Sequence, residues 1–136
     1  MEIAMLENKG HIRWVAEKYE EIGELFIPDY QRGLEEAIHQ VESWLKDENY
    51  NLTIIHENSE PVAMLICHLR QSPMDNAKEC FLDAMYVKPE YRKKGVGQKL
   101  MDYAHEWARR KEVKRLKGFV SIDNADMLEL DRKSVV

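Results

Sequence analysis

Cysteine, glycine and long apolar runs are all scarce in this chain of 136 residues. The two cysteines, Cys67 and Cys80, sit in apolar, strand-like stretches without CxxC spacing. That excludes a disulfide framework and a thiolate metal site, and leaves two small buried hydrophobes in a reduced cytoplasm. No apolar run approaches the roughly 20 residues that a membrane span needs, and the N-terminus lacks a signal-peptide pattern. A cytoplasmic protein without a membrane partner is therefore expected. Six glycines and four prolines supply no repeat, low-complexity segment or long linker. No GxxxxGK[ST] is present, and no third glycine is placed for a dinucleotide loop, so the two commonest nucleotide signatures are excluded. The histidines show no metal-ligand spacing, and no metal is expected.

What is there is ordinary in amount and uneven in distribution. Hydrophobic residues make up 44% of the chain and charged residues 33%, enough for one compact domain over 1–136 and too little for two. Residues 1–60 carry 14 acidic against 5 basic side chains, a net −9, and the remainder carries 11 against 15, a net +4. An acidic half suits a cationic substrate and a basic half a polyanion, although solvated helix faces would give the same asymmetry. The net charge of −5 and the lack of a recognition motif argue against nucleic acid.

Apolar periodicity gives the element order. Glu2 to Leu6 is a short strand. Ile12, Val15, Ala16, Tyr19, Ile22 and Leu25 recur at helical spacing up to Pro28, and Leu34 to about Lys46 forms a second helix. Leu52 to His56 and Val62 to Leu69 form a hairpin across Glu57–Pro61, with His56 and His68 facing one another. A fourth strand ends at Val87, a third helix runs from Gln98 to Lys111, and Leu116 to Ile122 is a fifth strand. Asp123 or Asn124 then caps a short final helix holding Met127, Leu128 and Leu130. The order is β-α-α-β-β-β-α-β-α, an α/β domain whose mixed sheet pairs the fourth and fifth strands in parallel through the crossover helix.

The segment that carries chemistry is Cys80 to Gly97, CFLDAMYVKPEYRKKGVG. A strand stops at Pro89, a basic loop follows, and a helix opens. Helix N-terminal amides point outward with the positive end of the macrodipole, which suits phosphate. Gly95 and Gly97 let backbone approach an anion closely, and Arg92, Lys93 and Lys94 add positive charge. Within the preceding strand Asp83 is a carboxylate among apolar residues, where desolvation raises its pKa.

Arg92, Gly95 and Gly97, following Tyr-Val-x-Pro at the end of the fourth strand, resemble the Arg/Gln-x-x-Gly-x-Gly/Ala motif of the GNAT N-acetyltransferase superfamily. The resemblance extends by element order over roughly residues 1–131 and implies a GNAT-like acyl-CoA acyltransferase fold with acetyl-CoA as cofactor. It implies that the loop amides of Lys93, Lys94, Gly95, Val96, Gly97, Gln98 and Lys99 bind the pyrophosphate, beside Arg92. The pantothenate arm is implied to lie as a pseudo-strand along Met85, Tyr86 and Val87, with Asn124 touching it. The implied reaction is direct attack of an amine of a small molecule or protein on the acetyl thioester. Asp83 is the candidate base and Glu79, expected to be wet, a weaker one. Tyr19, Phe26 and Tyr30 are candidates for the acceptor pocket, and Trp14 and Trp44 fit helical core stripes. His11, His39 and His105 read as solvated.

The C-terminus departs from that family pattern. The Tyr that many members use as general acid falls on Asp131, the Gly-Phe step falls on Val135 and Val136, and the sixth and seventh strands are missing. Water or Tyr86 would then protonate the thiolate. The alternative is a weakly active or non-catalytic acyl-CoA-binding module, or a truncated chain. An unpaired fifth strand and the Val135–Val136 tail favour a homodimer.

Overall fold

The computed structural model describes residues 2–5, 9–27, 29–122 and 126–132. Its elements run β1 (Glu2–Met5), α1 (Lys9–Phe26), α2 (Leu34–Leu45), β2 (Tyr50–Glu57), β3 (Glu60–Gln71), β4 (Lys78–Val87), a single 3-10 turn (Pro89–Tyr91), α3 (Val96–Arg110), β5 (Leu116–Ile122) and β6 (Asp126–Arg132). The six strands form one sheet in sequence order. All neighbours are antiparallel except β4 and β5, which the α3 crossover makes parallel.

Helices cover both faces of this sheet, which is why β2 to β4 read as nearly continuous apolar runs. On one face Ile12, Val15 and Ala16 of α1 and Ala37 and Val41 of α2 pack on Leu52, Ile54, Met64, Ile66, Ala84 and Tyr86. On the other, Leu100, Met101, Ala104, Trp107 and Ala108 of α3 pack on Ile55, Leu65, Cys67, Cys80, Leu82 and Leu116. Cys67 and Cys80 are buried free thiols, as expected. Burial and mutual hydrogen bonding, the latter first, push the Cys67 thiol upward.

The hairpin expected at Glu57–Pro61 turns on two residues, Asn58 (φ 52°) and Ser59 (φ 67°), the left-handed pair that a tight two-residue connection requires. Pro61, without an amide proton, lies at the register irregularity opposite His56. That register corrects one expectation. His68 lies opposite Tyr50, and His56 opposite Pro61, so the two histidines do not face each other.

The last element is a second correction. Asp126–Arg132 is a strand antiparallel to β5, not a helix. Leu128-Glu129-Leu130-Asp131 alternates apolar and acidic residues with period two, and β5 offers it an open edge of backbone donors and acceptors. A sixth strand is thus present, and β5 is not an unpaired edge. Pro28, Asp123, Asn124, Val135 and Val136 lie outside the described residues.

Two features distinguish β4 from the other strands. Its register against β3 puts Ala84 opposite Ile66 and Leu82 opposite Cys67, so that Asp83 is an extra residue, a β-bulge. The bulge switches faces: Cys80 and Leu82 belong to the α3 layer, whereas Ala84 and Tyr86 belong to the α1–α2 layer. On its other side β4 pairs with β5 only from Cys80–Leu116 to Leu82–Gly118. Gly118 makes that last pair possible. A Cβ there would stand 2.7 Å from the Leu82 carbonyl oxygen and 2.8 Å from its Cβ.

Candidate active site

The bulge and the end of the β4–β5 ladder coincide. Beyond Leu82 the β4 edge facing β5, from Asp83 to Val87, has no ladder partner among the described residues. Met85 and Val87 direct their side chains into the α3 layer. Tyr86 is 7% exposed in the opposite layer, edge-on to Trp14, with Lys18 Nζ 5.1 Å above its ring. The three residues therefore offer the cleft backbone rather than side chains, as a strand-like guest requires.

The cleft runs into the N-terminus of α3. Gly95 precedes the helix in the left-handed conformation (φ 81°, ψ 5°), and no side chain caps α3. The first intrahelical bond there is donated by the Lys99 amide to the Gly95 carbonyl at 3.1 Å, which leaves the amides of Val96, Gly97 and Gln98 as the outward-facing first turn. Val96 is buried in the core, so its backbone alone is available. A Cβ on Gly97 would meet Met85 Cε at 3.7 Å, which places the helix start against the open β4 edge. Lys93 and Lys94 are exposed beside the loop, and Gln98 donates to Asp102 Oδ1 at 2.8 Å along the helix surface.

Arg92 turns back toward the sheet. Its Nε donates to the Val87 carbonyl at 2.8 Å and its guanidinium lies 5.7 Å over Tyr86. Its Nη2 is buried without a hydrogen-bond partner. A buried guanidinium donor left open, an uncapped helix start and an unpaired strand edge together fit a ligand with anionic groups at one end and an amide-bearing arm. A further tether holds the loop from outside. Tyr91 donates its hydroxyl to Glu57 Oε2 at 2.6 Å, joining the 3-10 turn to the end of β2.

On the α1–α2 face, Asp83 accepts a hydrogen bond from His68 Nδ1 at 2.7 Å. The two side chains are 16% and 19% exposed. Burial raises the Asp83 pKa, and the hydrogen bond and charge of His68, then the charge of Arg70, pull it partly back. An aromatic column backs the pair. Tyr50 stacks on His68 at 4.8 Å and on Trp44 at 5.1 Å, Phe81 lies 5.8 Å beyond His68, and Tyr19 meets Trp44 edge-on at 5.4 Å. Burial first and the Asp83 charge second push the Tyr19 and Tyr50 phenols upward. Farther along α1, Tyr30 donates to Glu20 Oε1 at 2.9 Å, and burial followed by that bond pushes its phenol up to about 12. Arg32 Nε lies 3.8 Å from the same Glu20 oxygen.

Several of the residues singled out from sequence lie close together: Met85, Tyr86 and Val87 on the open β4 edge, Gly97 at the α3 start beside Met85, Arg92 on the Val87 carbonyl, and Asp83 at the bulge. Tyr30 lies one step out, and Asn124 and the Phe26 side chain fall outside what is described. Glu79 is a correction. It is fully buried rather than wet, accepting from Arg70 Nε at 2.7 Å with Arg115 Nη1 3.7 Å from its other oxygen, because two guanidinium groups enclose it. Asp131 lies in β6, opposite Lys117. His68 and Tyr50 are the residues that sequence reasoning passes over. Their one signal is polarity at the ends of apolar strands, and only the register reveals what they face. Among the described residues no three His, Cys, Asp or Glu side chains cluster as metal ligands, and no helix is long and apolar enough to cross a membrane.

Comparison with known proteins agrees with this geometry. The model of the acetyltransferase (GNAT) family matches residues 15–132. The chain is similar in structure to aminoglycoside 6'-N-acetyltransferase AAC(6')-IG of Acinetobacter haemolyticus, with TM-score 0.70 and 18% identity over 87% of this chain and 78% of that one. It is also similar to AAC(6')-Iy, solved with a CoA-based bisubstrate analogue (TM-score 0.68, 18% identity, covering 88% and 79%). A third is the ribosomal-protein-alanine N-acetyltransferase of Brucella melitensis biovar Abortus (TM-score 0.61, 18% identity, covering 85% and 78%). No curated protein matches the sequence. The chain belongs to the GNAT acetyltransferase family, and it is an acetyltransferase that draws its acetyl group from acetyl-CoA.

Proposed function

We propose that this enzyme N-acetylates a primary amine of a small molecule or protein, with Asp83 as the base. The observation that carries the proposal is that Asp83, the extra residue of the bulge, stands where the β4–β5 ladder stops. One element thus supplies both the open backbone edge and the carboxylate beside it.

Bound acetyl-CoA supplies the activated acetyl group as a thioester. Amides at the start of α3, those of Val96, Gly97 and Gln98, would hold its pyrophosphate, whereas the expected Lys99 amide is taken up by the Gly95 carbonyl, and Arg92 braces the loop on the Val87 carbonyl. The backbone of Met85 to Val87 aligns the arm, and a main-chain amide near Met85 or Tyr86 stabilises the oxyanion. Asp83 takes the proton that the amine nitrogen gives up as it becomes an amide, and its raised pKa brings it nearer to the operating pH. The acidic N-terminal half and the carboxylate itself favour cationic acceptors. Thiolate protonation falls to water, because the Tyr86 side chain expected as the alternative is buried in the α1–α2 layer. Free thiols at Cys67 and Cys80 fit a reducing cytoplasm. A homodimer would pair through the outer edge of β6, and light scattering at working concentration measures its mass.

The deciding assay incubates the protein with acetyl-CoA and a panel of polyamines, aminoglycosides and peptide N-termini while following thiol release. Calorimetry with CoA runs beside it. Turnover above hydrolysis is expected, with Asp83→Asn lowering kcat by about 10²–10⁴-fold and leaving CoA affinity in place. The resemblance, which puts Asp131 where many GNAT members have Tyr, favours a second reading, a weakly active acyl-CoA-binding module. CoA binding without thiol release across the panel would establish that reading.

A further inference from the structure

His68 reaches Asp83 from β3, the strand that the bulge faces, and cannot swing freely. Tyr50 stacks on it 19° from parallel and Phe81 lies on its other flank, with Arg70 Cζ 3.9 Å over the Phe81 ring. A planar ring held this way presents Nδ1 to one carboxylate oxygen, Oδ2. An ionised carboxylate only accepts hydrogen bonds, so its partner nitrogen carries the proton and the ring is held as the Nδ1–H tautomer.

We propose that His68 is a positioning residue for acetyl transfer. Its Nδ1–H occupies Oδ2 and leaves Oδ1 as the oxygen available to the amine. This rests on Asp83 being the base.

The groups packed around the pair do not supply the acid limb of the rate profile. Tyr50 from β2 and Tyr19 from α1 have phenols pushed upward, away from the range in question. Cys67, beside His68 on β3, has a thiol pushed upward too. Arg70 on the same strand keeps a constant charge and is bonded to Glu79 of β4. The remaining facing side chains, Trp44 of α2 and Phe81 of β4, do not ionise.

Two-bond ¹H–¹⁵N imidazole spectra of the whole protein, recorded across pH, test the proposal without an acceptor. The His68 signals, identified by their loss in His68→Asn, should show the Nδ1–H tautomer, and Asp83→Ala should return them toward the ordinary Nε2–H form. A wild-type Nε2–H tautomer overturns the proposal. Kinetics with the amine that the panel acetylates fastest supply the second arm. Asn retains a donor near the Nδ1 position. His68→Asn should therefore keep plateau kcat within about fivefold. His68→Leu should lose about tenfold or more in plateau kcat, with an acid limb of kcat/KM above that of His68→Asn because the desolvated carboxylate loses its donor. Thermal melts check that each variant folds. Equal plateau kcat and coincident limbs in the two His68 variants overturn the positioning role alone, provided Asp83→Asn is impaired. Full activity in Asp83→Asn overturns the base assignment and this proposal with it.

Discussion

On the proposed reading, the cofactor half of the site is built from backbone and the acceptor half from side chains. At the α3 end, Val96 and Tyr86 send their side chains into the core, and what faces the ligand is a helix start and a strand edge. At the α1–α2 end the working groups are a carboxylate, an imidazole and a column of rings drawn from α1, α2, β2, β3 and β4. A backbone site asks little of sequence beyond glycine where side chains would obstruct, and tolerates change elsewhere. A side-chain site depends on each residue and on the register that aligns the strands. Each half should therefore break in its own way.

The widest damage should come from Gly118→Val, which attacks the one position where the halves share a support. Its Cβ would stand 2.7 Å from the Leu82 carbonyl oxygen, and backbone cannot yield as a flexible side chain does. Loss of the Leu82–Gly118 pair at the end of the ladder should destabilise the fold by about 3 kcal/mol or more, read by denaturant titration. Both CoA binding and turnover should fall together. If one survived unchanged, the halves would not share this hinge.

Gly97→Glu should separate them. A carboxylate beside the α3 amides occupies the anion site and repels phosphate, so CoA affinity should drop by about 100-fold, or about 2.7 kcal/mol, by calorimetry. The His68 imidazole signals should stay where they are, because a side chain at Gly97 would start against Met85 Cε, 3.7 Å from its Cβ, and not against the β3 side of the bulge. Movement of those signals would mean that the halves are coupled through β4.

That difference also explains how much of the molecule is legible in its sequence. Arg92, Gly95 and Gly97 after a strand-ending proline are contiguous, and contiguous backbone chemistry survives in a sequence pattern. The sheet order, the hairpin at Asn58–Ser59 and the parallel crossover follow from periodicity and turn residues in the same way. Asp83 stands out because a lone carboxylate interrupts an apolar strand. His68 does not, since its meaning depends on a bulge that shifts the β3–β4 register by one residue, and no local property of either strand announces that shift. The final strand reads as a helix because Met127, Leu128 and Leu130 over so short a stretch satisfy a helical and an extended pattern equally, and the open edge of β5 decides between them.

Asp83→Asn should raise stability while it lowers activity. Burial lifts the folded carboxyl above its ordinary 3.8, so folding favours the protonated acid, and ionised Asp83 opposes folding once pH rises through the folded pKa. Asn mimics the neutral acid and still accepts from His68. The variant should melt higher than wild type at pH 7–8 by an amount on the order of 1 kcal/mol. That advantage should shrink as pH falls toward the ordinary carboxylate range, where wild-type Asp83 is itself neutral.

Tyr91→Phe should give the smallest effect and test whether the backbone half needs side chains at all. The hydroxyl joins the 3-10 turn to Glu57 at 2.6 Å, and the phenol is pushed upward chiefly by that bond, so Glu57 holds the proton-bearing form in place. The loop has other anchors: Arg92 on the Val87 carbonyl and the Lys88 amide on the Val62 carbonyl. With these intact, CoA affinity should weaken by no more than about threefold, within what one part-buried hydrogen bond contributes. A loss approaching that of Gly97→Glu would show that the loop's conformation is imposed from the hairpin rather than by its own glycines, and the contrast between a backbone half and a side-chain half would have to be redrawn with Tyr91 and Glu57 on the cofactor side.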